Sequence, residues 1–294
     1  MRVFVALLVL CCLAQAALAK LIVSNSAPVQ GETIEVTWEF AGSVGGFRAS
    51  QSQPIASIAF NGHDYQLFPD QSGSGRCLIA IPADLVPGKY KLGPITVPSD
   101  SFGDKPVSTE AAEILLTIKD AKFPVQHLTL PKTKNNFNTS PGEQKAMDAV
   151  KATLSDARLW EGKFTKPCQA RISAGFGIRR VVNGKLLKDY YHSGIDFAGN
   201  LGQPVQACAD GKVILAHRNF KLHGNVIALD HGQGVVTIYV HLQKIMVKEG
   251  DMVKAGQQIG AVGATGRANG PHLHLSLYVN QVAANPMPWF TKTF

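Results

Sequence analysis

Cysteine is scarce in this 294-residue chain, with five in all, and Cys11 and Cys12 lie in the apolar start of the sequence. The other three, Cys77, Cys168 and Cys208, exclude a disulfide framework, because an odd count closes at most one bridge and leaves a thiol. A bridge between Cys168 and Cys208 and a set of buried unpaired thiols are both open readings. Long apolar runs are missing after residue 19, which excludes a membrane helix and stable membrane insertion by one. No basic cluster with interleaved aromatics appears either, so nucleic acid is not the expected partner. Charged residues make up only 17% of the chain, yet 29 Lys and Arg against 21 Asp and Glu leave a net +8. Outside a cytoplasm that excess holds a protein near wall polymers and anionic head groups, by an attraction that salt weakens.

The first residues read as a leader. Arg2 gives a positive start, residues 3–13 an apolar run too short to span a bilayer, and Ala17-Leu18-Ala19 a small-residue cleavage site. Leu10 stands before Cys11 where lipidation wants a small residue, so residues 1–19 are expected to be a signal peptide cleaved before Lys20. The mature chain is then exported, periplasmic or secreted. About 275 residues remain, enough for two domains with cores of their own.

Residues 20–119 are expected to be all-β. Short apolar or alternating runs at residues 21–23, 33–40, 55–60, 65–68, 77–81, 90–97 and 114–118 are separated by turn signals such as Asn61-Gly62 and Pro87-Gly88. Such a series suggests an immunoglobulin-like β-sandwich without the Cys…Trp…Cys signature of antibody domains. Residues 120–163 read as a linker with one helix. Ser140 is its candidate N-cap, Pro141 fits the first turn, Glu143 completes a capping box, and Met147, Val150 and Leu154 form its apolar stripe. That helix either packs on a domain or acts as an arm over a site. From residue 164 to 294 the pattern returns to β, rich in glycine and without a long helix.

Two strands of this last region pair an apolar face with histidines. In Val235–Leu242, Val236, Ile238, Val240 and Leu242 alternate with Thr237, Tyr239 and His241, and in residues 272–278, His272, His274 and Ser276 alternate with leucines. Upstream stands His192-Ser193-Gly194-Ile195-Asp196, where Gly194 and Ile195 favour extended chain and bring His192 and Asp196 to one side. Catalytic zinc takes about three such ligands and keeps one position open. Either motif alone is weak; together, with His241 on its own strand, they point to a metal site. His217, His223 and His231 lie near turns and read as surface or structural, Asp210-Gly211 as turn chemistry, and Arg179 as either a substrate contact or a structural ion pair.

On these residues the region from about 164 to 290 resembles the catalytic domain of the lysostaphin/LytM-type zinc metallopeptidases, the murein endopeptidases. The stretches that carry the resemblance are 173–179, 192–198, 202–211, 225–232, 239–242, 250–251, 256–266 and Gly270-Pro271-His272-Leu273-His274. Leu159-Trp160 and Phe164-Thr165-Lys166-Pro167 look like the lead-in of periplasmic members with an N-terminal β domain. The resemblance implies a mainly β protein with a C-terminal antiparallel catalytic sheet and one Zn2+ per chain on His192, Asp196 and His274. It implies His241 and His272 as unligated catalytic histidines, one taking the proton of the attacking water and one stabilising the oxyanion. The implied activity is hydrolysis of an amide in peptidoglycan cross-links or stem peptides, between D-Ala and diaminopimelate, in wall remodelling or division. The alternatives are a non-catalytic activator of other wall hydrolases, which usually lacks ligands that are present here, and a secreted bacteriolytic enzyme.

Overall fold

The computed structural model describes residues 20–39, 56–70, 74–97, 107–109, 113–129 and 138–294. The leader, with Cys11 and Cys12, lies outside these residues, as do Phe40, Ile55 and residues 130–137 of the connector. Among the described residues no helix is long and apolar enough to cross a membrane.

The first half is built from β1 (Lys20–Val23), β2 (Thr33–Glu39), β3 (Ala56–Phe60), β4 (His63–Pro69), β5 (Gly75–Ala80), β6 (Gly88–Val97), β7 (Val107–Thr109) and β8 (Ile114–Ile118). Alternation sets the core here: Ile34, Val36, Ile58 and Leu92 are fully buried in one core while their strand neighbours are more exposed. β1-β2-β5-β4 run side by side, and β3-β6-β8 form the second layer, the order of an immunoglobulin sandwich. The two layers are not separate sheets, because β4 also pairs with β3.

The connector holds a strand that the sequence pattern does not announce. β9 (Val125–Leu128) pairs in parallel with β11 (Arg179–Val182), which in turn pairs with β12 (Lys185–Tyr191). Helix α1 is shorter than its apolar stripe suggests. It spans Glu143–Lys151, burying Met147 and Val150, while Leu154 falls beyond its end and is 45% exposed. Its start is half of a capping box: the Glu143 carboxylate accepts from the Ser140 N–H and hydroxyl at 2.7 Å each, but Gly142, not Ser140, holds the N-cap position.

The second half centres on an antiparallel sheet. Its strands are β10 (Ile172–Ala174), β13 (Gly194–Phe197), β15 (Gly211–Phe220), β16 (Gly224–Gly232), β17 (Val235–Leu242), β19 (Met252–Val253), β21 (Leu273–Val279) and β22 (Val282–Ala284), in the order β10-β13-β21-β17-β16-β15-β19 with β22 beside β21. A small sheet of β14 (Pro204–Gln206), β20 (Gln258–Ala261) and β18 (Lys244–Ile245) packs nearby. One face of the main sheet, carrying Tyr239, Leu273, Leu275 and Leu277, covers the large core. The opposite face, carrying Val236, Ile238 and Val240, is covered by Met147 and Val150 of α1. The halves share material: Leu78, Ala80 and Ala83 of the sandwich belong to the large core, and Asn280 donates to the Leu78 carbonyl at 3.0 Å. Cys77, Cys168 and Cys208 are all buried free thiols, so the Cys168–Cys208 bridge does not form.

Candidate metal centre

β13 and β21 place the central residues. Asp196 sits directly opposite His274 in the ladder, so both side chains emerge on one face as cross-strand neighbours. Gly194 permits this approach, since a Cβ there would run into the Leu275 carbonyl. His192 lies just ahead of β13 and is tied by its own N–H and C=O to Ile178 and Gly177, at 2.9 and 2.8 Å. His192, Asp196 and His274 thereby converge. His192 Nε2 is 3.1 Å from Asp196 Oδ1 and 3.0 Å from His274 Nδ1, and His274 Nδ1 is 2.8 Å from Asp196 Oδ1.

The hydrogen bonds on the far side of each ring explain what this triangle wants. His192 Nδ1 faces the Gly175 carbonyl at 2.6 Å, which can only accept, so the proton is on Nδ1 and the Nε2 lone pair faces inward. His274 turns Nε2 to the Ser276 hydroxyl at 2.7 Å and leaves Nδ1 for the centre. With the His274 proton on Nε2, two ring nitrogens and a carboxylate oxygen meet with no donor between them, an arrangement that a cation stabilises. Three vertices of a tetrahedron with bonds of about 2.0–2.1 Å have edges of roughly 3.3 Å, close to the spacing here. Among the described residues, this is the one group of His, Cys, Asp and Glu able to hold a metal ion.

His272 and His241 stand beside the group, their rings 4.8 Å apart. His272 faces the Gly270 carbonyl through Nδ1 at 2.9 Å, and His241 faces the Thr265 carbonyl through Nδ1 at 2.9 Å, contacts that turn each Nε2 away from those carbonyls. His241 arrives by a route that alternation does not foresee. Thr237 and Tyr239 do not share a polar face with it; Tyr239 is buried in the large core, with its hydroxyl accepting from the Cys208 N–H. Between Tyr239 and Leu242 the strand carries one residue more than β16 does between Ile227 and Asn225, and His241 takes φ 64. This bulge in the left-handed region turns the imidazole out of the core and into the cleft. Burial first, then crowding by His274 and His272, pushes His241 down to about 3, so it is neutral.

All five residues line a cleft of 720 Å³, together with Tyr190, Arg180, Arg267 and His223. Other expectations separate cleanly. His231 is fully buried between the Asp210 carbonyl and Thr237, and Asp210 pairs with Lys254 in a turn. His217 stacks on Phe220, and Arg179 reaches the Ala83 carbonyl of the sandwich instead of the cleft. Glu143 belongs to the site although the sequence pattern marks it only as part of a helix start. Its buried carboxylate accepts from the N–H groups of Lys221, Leu222 and His223 and from His223 Nδ1, fixing the turn that forms one cleft wall. Its place in a capping-box pattern was the only signal, and it said nothing about the distant partner.

Residues 190–286 match Peptidase family M23. The match covers about a third of the chain. Over 119 residues it is 43% and 41% identical to the peptidoglycan DD-endopeptidases ShyA and ShyB of Vibrio cholerae, 40% of this chain and 27% of each relative. A further relative, the DD-carboxypeptidase/endopeptidase Mpg of Neisseria meningitidis, is 41% identical over 117 residues, covering 40% of this chain and 26% of that protein. The chain thus spans about a quarter of the length of these curated relatives. A crystal structure described as a peptidase M23 from Pseudomonas aeruginosa superposes with a TM-score of 0.62 over 90% of this chain and 95% of that one, at 24% identity, a likeness of fold. The M23 match begins at Tyr190, just ahead of His192, and takes in His241 and His274.

Proposed function

We propose that this protein is an exported zinc-dependent peptidoglycan endopeptidase, hydrolysing the amide between D-Ala and diaminopimelate in wall cross-links during remodelling or division. The observation that carries the reading is the convergence of His192, Asp196 and His274 with two further histidines in one cleft, inside the segment that matches M23. In this reading His192, Asp196 and His274 are the zinc ligands, and His241 and His272 are catalytic. The same reading takes residues 1–19 as the export leader, 20–119 as the sandwich domain, 120–163 as the linker with helix and 164–294 as the catalytic domain.

Zinc at these ligands supplies a Lewis acid for the scissile carbonyl and a water of lowered pKa. The protein does the rest. Gly175 and Ser276 orient the two ligand rings from behind, and the Gly175 carbonyl fixes the His192 tautomer and raises its basicity. Gly270 and Thr265 hold protons on the Nδ1 atoms of His272 and His241, so each Nε2 is ready to accept a proton from water and return it to the leaving amine. Once protonated, either ring can donate to the oxyanion.

The test is digestion of purified sacculi with the full mature chain, with and without chelator, and identification of products by mass. Chelator-sensitive release of cross-linked dimers as monomers is expected. Sacculi left intact in zinc-loaded reactions would overturn the hydrolase reading.

A further inference from the structure

The cleft has a second polar wall that the hydrolytic group does not use. Arg180 on β11 and Tyr190 on β12 meet across their hairpin, with Arg180 Nη1 donating to the Tyr190 hydroxyl at 2.8 Å and the guanidinium 5.2 Å from the ring centroid. Arg267, from the loop before β21, lines the same cleft, its backbone N–H fixed on the Leu222 carbonyl at 3.0 Å. Among the described residues Arg180 has no carboxylate partner, and its Nε is buried without a hydrogen bond. Burial lowers the Arg267 pKa; Tyr190 works against it, and Arg180, as a neighbouring like charge, adds a smaller push downward. Two crowded guanidiniums, one of them unsaturated, are a costly arrangement for a folded chain to keep. An incoming anion relieves both the repulsion and the missing acceptor.

We infer that Arg180 and Arg267 form a carboxylate subsite, which selects wall peptides bearing a free carboxylate on the residue next to the scissile amide over peptides amidated there. This rests on the proposed endopeptidase reading for the identity of the peptide, and on the cleft wall alone for the charge it prefers. Tyr190 is a positioning residue for Arg180. The metal group and the arginine wall border one 720 Å³ space, so a peptide held at the arginines lies within reach of His241 and His272.

The experiment uses the full mature chain with two synthetic cross-linked stem-peptide dimers, identical except that the carboxylate beside the scissile amide is free in one and a carboxamide in the other. Equilibrium binding is read with uncleavable reduced-amide versions of both, and cleavage with the native ones. Wild type is expected to bind the carboxylate form about tenfold more tightly, and Arg180→Gln/Arg267→Gln to bind the two forms alike. In kinetics the double variant should raise KM for the carboxylate substrate about tenfold while kcat changes little. Arg180→Lys, which keeps charge but loses the planar fork, should retain part of the preference, and it carries the test together with Arg267→Gln if Arg180→Gln unfolds. A double variant that discriminates as wild type does, or a wild type indifferent to amidation, overturns the subsite. Binding preference without cleavage of either dimer would leave the subsite standing and reject the hydrolase reading; cleavage without preference would do the reverse.

Discussion

The two sides of the cleft are built by different rules. On one side Asp196 and His274 are ladder partners on β13 and β21, and their convergence follows from register alone. On the other side His241 stands at φ 64 in a bulge, and both outer histidines are held by loop carbonyls, Thr265 and Gly270. The regular side suits ligands, whose lone pairs must meet at one point whatever the substrate does. The irregular side suits groups that exchange protons, because a bulge can aim a side chain where strand alternation would bury it.

That contrast predicts unequal consequences. His274→Ala should have the largest effect: zinc content, read by plasma mass spectrometry after dialysis, falls to background, and sacculus cleavage falls with it. Retained stoichiometric zinc would sink the ligand assignment. His241→Ala should keep its zinc yet lose about 10²–10⁴-fold in kcat, the range for removing a positioned acid–base group. If it lost zinc as well, the separation between the two sides would be false. Ser276→Ala touches neither metal nor substrate; it should weaken zinc affinity by roughly 10–100-fold, read by competition with a chelating dye, through loss of the group behind His274.

The same contrast governs what was legible in the sequence. The convergence of His192, Asp196 and His274 could be read because their spacing, with the His272-Leu273-His274 strand, obeys a period of two. His241 does line the cleft, but not on a shared face with Thr237 and Tyr239, which the structure buries. A one-residue bulge is invisible to periodicity, since it depends on which residue of β16 the strand chooses to oppose. Other gaps have the same origin in non-local pairing. β9 exists because β11 offers it an edge, and Leu154 drops out of the helix because the turn ends at Lys151 and Met147 and Val150 already cover the sheet. The sharing of Leu78, Ala80 and Ala83 with the catalytic core likewise has no local signature, whereas the sandwich strands themselves do.

The last predicted effect falls on stability instead of zinc or turnover, and concerns one wall of the cleft. Glu143, at the start of α1, is fully buried and accepts from three consecutive backbone N–H groups at residues 221–223 as well as from His223. Burial alone would raise its carboxyl, but the donors from Ser140 and His223 outweigh that and hold it down to about 2, against an ordinary 4.5. With the folded pKa below the unfolded one, the unfolded chain binds the proton first as pH drops. The stabilisation is therefore complete above about 4.5 and is lost as pH falls towards 2. Glu143→Gln replaces acceptors with an amide that must point N–H at N–H, and should cost about 3 kcal/mol at neutral pH, read as a lower midpoint in urea. The gap between wild type and variant should narrow as titrations move from pH 6 to pH 3, because protonation removes from wild type what the substitution removes from the variant. A gap that stayed constant across that range would mean the carboxylate's charge is not what holds the 221–223 turn, and that α1 stabilises the cleft wall through Met147 and Val150 alone.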